Sequence, residues 1–243
     1  MRLMHVVPVL LVPTIALADV TDDATESVKT GSFLPFTDSP ATETHTAKTF
    51  GTYDGARGGA SLMTAVEAKL SEKFQLEGEI DFDDGETQPS VEAQYDLLDR
   101  KSDGFDLQVG GGVDGNGFNE VPALFARGTI GGFYRDTYLV GMVGFELGTE
   151  RGEAASSFGL AGLRDLGDNL YMGFDSRMSF DLERDDMEPE GEASWEIQAG
   201  PLVSFPVGRF ALTAAFGMSA REERAAMTSD LGAYGSLGAG AVF

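Results

Sequence analysis

The chain has 243 residues, no cysteine, 32 glycines and a formal net charge of −23. Without cysteine it forms no disulfide framework and no thiolate metal site, and its excess of carboxylates argues against a nucleic-acid partner because basic side chains are needed to replace phosphate counterions. Beyond the first eighteen residues no apolar run approaches the roughly 18 residues of a membrane helix, so any membrane span must consist of strands.

Residues 1–18 are predicted to be a secretory signal peptide. Arg2 supplies a positive charge, residues 6–17 are apolar, and Ala16-Leu17-Ala18 matches a small-x-small cleavage pattern. We therefore expect an exported chain that begins at Asp19.

Residues 19–43 form an acidic segment rich in threonine and serine, with Phe33-Leu34-Pro35-Phe36 as its apolar cluster. This composition favours a flexible, disordered lead-in on the periplasmic side. The alternative is a plug that folds into the mouth of a barrel. Deleting residues 19–43 should raise conductance only if the segment is a plug.

Residues 44–243 are predicted to form a transmembrane β-barrel, because apolar and polar residues alternate along most of this range. The clearest stretch is 74–82, where Phe74, Leu76 and Ile80 share one face while Glu77 and Glu79 share the other. A strand sorts such residues onto opposite faces, whereas a helix would scatter them. The same alternation recurs at 91–97, 105–109, 170–182, 195–205 and 210–220.

The predicted connections alternate between short turns and longer acidic loops, which is typical of an up-and-down barrel. Short turns are expected near 71–73, 99–104, 134–136, 166–169 and 206–209, and long loops near 83–89, 114–121, 148–153, 183–191 and 222–228. About eleven strands follow Gly58, and since bacterial single-chain barrels have even strand numbers a further strand is expected near 44–53. Its alternation is weak, with Thr46 and Lys48 set against Ala47 and Phe50. We predict an all-β, closed antiparallel barrel of about twelve strands, with ten or fourteen as alternatives.

The last predicted strand, 231–243, ends on Phe243 and carries apolar residues at Ala241, Ala239 and Leu237. This pattern resembles the C-terminal signature of Gram-negative outer-membrane β-barrels, the porin-like class, in which a terminal phenylalanine is the assembly signal. The resemblance implies localisation in the outer membrane and, as partners, periplasmic chaperones, the barrel-assembly machinery, membrane lipids and lipopolysaccharide. The chain departs from the pattern in having a small residue at the third position from its end.

A soluble β-sandwich would show similar alternation, but two features favour the membrane. The apolar rows are nearly free of charge, and aromatic residues flank the short turns as the girdles of membrane barrels do. These aromatic residues are Phe74, Phe105, Tyr134, Phe205, Phe210 and Phe243.

If the apolar rows face lipid, the polar rows face the lumen, where carboxylates outnumber basic groups. A dry interior would not tolerate several unpaired carboxylates, since each costs several kcal/mol against a total stability of roughly 5–15 kcal/mol. The predicted pore-lining residues are Glu67, Lys69, Glu77, Glu79, Asp81, Glu92, Asp96, Asp106, Arg127, Glu146, Asp175, Arg177, Asp181 and Glu196.

These rows predict a narrow porin-like channel for cations or small cationic and polar solutes, with acidic side chains setting selectivity. The alternative is a closed structural or adhesive barrel whose interior is an internal salt-bridge network. A lipid-modifying enzyme is the third hypothesis, and it would depend on His45, the single histidine of the predicted exported chain. We expect no enzyme activity and no cofactor, since a lone histidine among threonines is more often an exposed surface residue. We also expect no metal ion, because the acidic loops 83–86 and 183–188 lack the spacing of a calcium loop.

Overall fold

The computed structural model describes residues 24–37, 39–40, 45–83, 86–115, 122–148, 154–183, 192–223 and 228–243. The predicted signal peptide and the expected start at Asp19 lie outside these residues. The described part contains two short helices, α1 (Ala24–Lys29) and α2 (Arg100–Asp103), and twelve strands. The strands are β1 (Thr46–Asp54), β2 (Gly59–Lys69), β3 (Phe74–Asp83), β4 (Glu86–Leu98), β5 (Asp106–Asp114), β6 (Ala123–Tyr134), β7 (Thr137–Leu147), β8 (Ala154–Asp165), β9 (Tyr171–Glu183), β10 (Glu192–Val207), β11 (Phe210–Glu223) and β12 (Thr228–Val242).

The twelve strands form one closed antiparallel barrel in which every strand pairs with its neighbours in sequence. Closure is made by β1 and β12, whose register runs from Thr46 opposite Val242 to Asp54 opposite Tyr234. The predicted fold class and strand number are confirmed. Closure pairs the backbone N–H and C=O groups of the first and last strands with each other, as hydrocarbon requires of any spanning sheet.

The apolar rows face outward and the acidic rows face the interior. In β3 the side chains of Phe74, Leu76 and Ile80 are exposed on the outer wall, whereas Gln75 and Glu77 are buried inside the barrel. Because successive side chains of a strand point to opposite faces, the register carries this assignment around the barrel. Five aromatic side chains of the predicted girdle are exposed: Phe74, Phe105, Tyr134, Phe205 and Phe210.

The two ends of the barrel differ, and we call them the turn end and the loop end. The turn end contains the turns at 70–73, 135–136, 166–170 and 208–209, the connection 99–105 that includes α2, and the two ends of the paired strands β1 and β12. The loop end contains the connection at 55–58 and the opposite ends of the other strands, among them Asp83 and Glu86.

The predicted strict alternation of short turns and long loops is wrong at the loop end. A long loop was expected at 83–89, but β3 continues to Asp83 and β4 begins at Glu86, with these two residues paired. The connection at 55–58 is also short, with four residues. Hairpin pairing satisfies backbone groups whatever the polarity of the side chains, so acidic sequence alone does not end a strand.

The first strand forms where strand parity required it, but its inner row was assigned wrongly. Phe50 shares the inner face with Thr46 and Lys48, and it is 2% exposed. Its ring fits there because the facing residue of β12 is Gly238, where an added Cβ would lie 2.1 Å from the ring. Neither α1 nor α2 is long and apolar enough to cross a membrane.

Candidate functional site

The register places all fourteen predicted lumen positions on the inner face of the barrel, and it divides them into two groups. Seven surround an open cavity in the loop half: Glu79, Asp81, Arg127, Glu146, Arg177, Asp181 and Glu196. The other seven lie toward the turn end, where the interior is filled with side chains: Glu67, Lys69, Glu77, Glu92, Asp96, Asp106 and Asp175.

The cavity in the loop half, which we call the vestibule, has a volume of about 440 Å³. Pro35 and Phe36 of the N-terminal segment, together with Phe50, are its apolar lining on the side of the turn half. Among the described residues of its wall, carboxylates outnumber cations, with eight of the former and three of the latter: Asp54, Glu79, Asp81, Asp83, Asp114, Glu146, Asp181, Glu196, Arg57, Arg127 and Arg177.

Four of these vestibule residues were missed from the sequence. Asp83 continues the inner row of Glu79 and Asp81, and Asp114 ends the inner row of β5, so strand parity would have found both had their positions not been assigned to loops. Asp54 and Arg57 follow the strand expected near 44–53, where the alternation carries little information.

Arg57 projects from the β1–β2 connection to two carboxylates of different strands. Its guanidinium lies 2.8 Å from Glu196 and 2.9 Å from Asp83. Burial by itself would lower the pKa of Arg57, but the attraction of Glu196 and Asp83 outweighs it, and the net pKa is raised. Arg57 therefore remains cationic and offsets part of the negative charge at the loop end.

Asp54 links the β1–β2 connection to the barrel wall by hydrogen bonds. One of its carboxylate oxygens accepts hydrogen bonds from the Ser219 hydroxyl at 2.6 Å and from the Ala56 N–H at 2.8 Å, and the other accepts from the amide of Gln198. Asp54 is 5% exposed. Its charge is therefore held by fixed donors from three elements, which gives this rim of the vestibule a defined shape.

In the turn half, a buried lysine that was not among the predicted lining residues compensates two of the predicted ones. The Lys48 ammonium lies 4.0 Å from Glu67 and 3.7 Å from Glu77 and is almost fully buried. Thr46 donates to Glu67 at 3.0 Å, and the amide of Gln94 donates to Glu77 at 3.0 Å. Buried charges are tolerated when they are paired and hydrogen-bonded, and the ion pairs of Lys48 together with the hydrogen bonds from Thr46 and Gln94 provide this compensation for Glu67 and Glu77.

The remaining carboxylates of the turn half also have donors. Asp96 accepts from Gln108 at 2.9 Å, and Asp106 accepts from the backbone N–H of Arg100 at 2.8 Å and the hydroxyl of Tyr138 at 3.2 Å. Arg127 connects the two halves, since its guanidinium lines the vestibule and lies 3.4 Å from Glu92.

The N-terminal segment, residues 24–37 and 39–40, lies inside the turn half. Ala24 donates its N–H to Gly208 at the turn end at 2.9 Å, and Val28, Phe33 and Leu34 are buried against the inner wall. An added Cβ at Gly240 would lie 2.2 Å from the Phe33 ring. The glycine thus provides the space that this aromatic residue occupies.

The far end of this segment is fixed to Asp175 of β9. The Phe36 N–H donates to one carboxylate oxygen at 2.8 Å and the Thr37 hydroxyl donates to the other at 2.6 Å. The Phe36 ring packs edge-on against Tyr234 at a centroid distance of 5.1 Å. Polar contacts thus fix the segment at the level where the filled turn half meets the vestibule.

His45 makes hydrogen bonds at the place where the first and last strands close the barrel. Its Nδ1 accepts the backbone N–H of Lys69 at 3.1 Å, and its backbone carbonyl accepts the N–H of Phe243 at 2.9 Å. Within the described ranges there is no cluster of three or more histidine, cysteine or acidic side chains arranged to hold a metal ion.

No protein-family model matches the chain, and no curated protein is similar to it in sequence. Solved structures share its fold. The NanC porin superposes with a TM-score of 0.60 at 6% identity, covering 81% of this chain and 100% of that porin. The KdgM porin superposes with a TM-score of 0.52 at 9% identity, covering 82% of this chain and 99% of that porin. At these identities the likeness concerns the fold.

Proposed function

We propose that the protein is an outer-membrane channel of the porin type that conducts cations and small cationic or polar solutes. The observation that carries this proposal is the vestibule, in which eight carboxylates and three guanidinium groups of the described part of the chain share one cavity. Rings of acidic side chains select for cations because they lower the energy of a positive charge in a narrow pore.

The outer wall supports a position in a bilayer. Large apolar side chains are exposed on the outer face, among them Leu62, Val91 and Phe216, at 40%, 54% and 63%. Patches of this kind are unfavourable in water and favourable against hydrocarbon. Twelve strands lie between the eight that side chains just fill and the sixteen that leave a wide pore, so a narrow lumen is expected.

Selectivity is tested by the reversal potential of the current across a planar bilayer under a salt gradient. We expect cation preference at neutral pH and a smaller preference in the double variant Glu79→Gln/Asp81→Asn, because both side chains line the vestibule. The matched control is Asp136→Asn, which removes a charge from an exposed turn at the opposite end. Anion preference, or an equal shift in the control, contradicts the proposal.

Because the N-terminal segment lies in the turn half, we expect a low conductance from the full chain and a higher one after deletion of residues 19–43. A chain that carries no ion current in either form would instead be the closed barrel of the second hypothesis. The paired carboxylates around Lys48 favour that alternative, since an internal network is what it requires.

We further infer that the barrel is assembled in the outer membrane with the help of the assembly machinery and chaperones, and that lipids and lipopolysaccharide surround it. Phe243 closes β12 beside His45, at the turn end. Removing Phe243 should reduce the amount of barrel in the membrane fraction, whereas removing the side chain of exposed Leu231 on the same strand should not.

We also infer that the barrel performs no catalysis, because the Nδ1 of His45 is engaged by the backbone of Lys69. A lipid-modifying activity that is abolished by His45→Ala, without loss of the barrel, would contradict this inference.

A further inference from the structure

We propose that Asp175 and Tyr234 form a binding site for organic cations with N–H donors, ammonium or guanidinium groups, and that the N-terminal segment occupies this site as an internal ligand. The proposal rests on the channel function proposed above. It specifies where within the barrel a cationic solute binds. It also specifies that the N-terminal segment must leave Asp175 before the solute can bind.

The first observation is the way in which Asp175 is bound. Asp175 is fully buried, and its two oxygens accept separate hydrogen bonds from Phe36 and Thr37. Two donors, one on each oxygen, is also the arrangement in which a guanidinium binds a carboxylate. The segment supplies these donors from a backbone N–H and a hydroxyl, which are neutral, whereas a guanidinium would place the same two donors on the carboxylate and add an opposite charge.

The second observation is independent of Asp175 and comes from Tyr234. Its side chain is 3% exposed, yet its hydroxyl has no hydrogen-bond partner among the described residues. Such a group is costly to bury. Tyr234 contacts the Phe36 ring and lies close enough to Asp175 for the two groups to interact electrostatically. When Phe36 leaves, an aromatic ring, a hydroxyl and a carboxylate surround the space it occupied, and the ring attracts a cation.

The third observation is that the site adjoins the vestibule. Phe36 lines the vestibule, and its N–H donates a hydrogen bond to Asp175. A cation concentrated by the vestibule carboxylates therefore meets the Phe36 contact directly. Arg177, the next inward residue of β9, also lines the vestibule, but its charge interacts with Asp81 on the opposite wall.

Glycines in the wall show that the segment occupies a prepared position. An added Cβ at Gly159 would lie 2.9 Å from the Thr37 hydroxyl, and one at Gly240 would lie 2.2 Å from the Phe33 ring. The barrel wall is thus shaped around the segment while the segment is bound to Asp175. A solute bound to Asp175 would occupy the oxygens that now accept from Phe36 and Thr37. Solute and segment therefore exclude each other, and a bound solute opposes the return of the segment.

Thiol labelling tests this exclusion without requiring an ion current. The chain contains no cysteine, and Val28 of α1 is 1% exposed, so Val28→Cys is a single reporter whose labelling by a maleimide requires the segment to leave the wall. The probe is methylguanidinium chloride, compared with sodium chloride at the same ionic strength. We expect methylguanidinium to accelerate labelling of the full chain and sodium to leave it unchanged.

In the Val28→Cys background, Asp175→Asn should label about tenfold faster without the probe, because a hydrogen bond to a charged group shifts such an equilibrium by about that factor. It should show no further acceleration with methylguanidinium. Thr37→Val should also label faster, but it retains the carboxylate and should therefore respond at a lower probe concentration than the parent. The matched control is Thr213→Val, which removes a buried hydroxyl that is hydrogen-bonded to Ser204 instead.

Equal labelling of the parent with and without methylguanidinium overturns the proposal, as does an equal probe response in Asp175→Asn. If Asp175→Asn does not fold, Thr37→Val decides: an unchanged probe concentration for half the response overturns the site. Cation-selective current without a probe response refutes this site alone, whereas a probe response without current refutes the proposed channel alone.

Discussion

The smallest change that should dislodge the N-terminal segment is Gly240→Ala. The added Cβ would lie 2.2 Å from two carbons of the Phe33 ring, where ordinary contact begins near 3.4 Å. Phe33 is 3% exposed, so its rigid ring must leave a closely packed position rather than turn aside. Losing the burial of a phenylalanine side chain removes about 1.5–3 kcal/mol, which raises the displaced population by about tenfold to a hundredfold.

The assay combines the Val28→Cys labelling rate with the fraction of time that a single barrel conducts. Gly235→Ala is the matched control, because it makes the same substitution on the same strand and the added Cβ meets nothing within 4 Å. We expect faster labelling and more frequent conduction in Gly240→Ala alone. If the two variants behave alike in both measurements, Phe33 does not hold the segment in the barrel and the reasoning is refuted.

Three further predictions concern the charges of the interior and the turns. Replacing Lys48 with methionine should destabilise the barrel by about 3–5 kcal/mol in urea unfolding, since it leaves buried carboxylates uncompensated, and adding Glu77→Gln should recover part of this loss. Replacing Arg57 with alanine should change the free energy of unfolding by less than about 1 kcal/mol, because its guanidinium is exposed and water screens its ion pairs with Glu196 and Asp83. It should nevertheless increase the cation preference measured by the reversal potential. Asp103 is exposed, and its hydrogen bond from Ser102 lowers its pKa below 3.8; the contribution of this contact is present above that value and is lost as the pH falls through the lowered pKa. A carboxyl titration followed by NMR should therefore show a higher midpoint in Ser102→Ala, and an unchanged midpoint would contradict the assignment.

The strands of this chain could be predicted from the sequence because successive side chains of a strand point to opposite faces. Phe74, Leu76 and Ile80 lie outside and Glu77 lies inside, as the alternation predicted. The twelfth strand followed from parity rather than from its own sequence, and β1 is present where it was expected. In the same stretch the rule that apolar side chains face outward fails, because Phe50 has the parity of Thr46 and Lys48 and lies inside against Gly238, a residue of the strand that closes the barrel.

What fills the interior could not be read from the sequence. The alternation shows that Glu67, Glu77 and Asp175 point inward, but it contains no information on which donors meet them. Those donors come from Lys48, Thr37 and Phe36. Phe36 and Asp175, for example, are 139 residues apart in the sequence.

The sequence by itself determined which face of each strand is apolar, because that property is local and repeats every second residue. Only the tertiary structure decided that residues 24–37 pack inside the barrel and that the turn half is filled while the loop half holds a cavity. The physical reason is closure: bending twelve strands into a ring brings distant inner rows within hydrogen-bonding distance of one another, and a pattern within one strand does not specify its neighbours across the lumen.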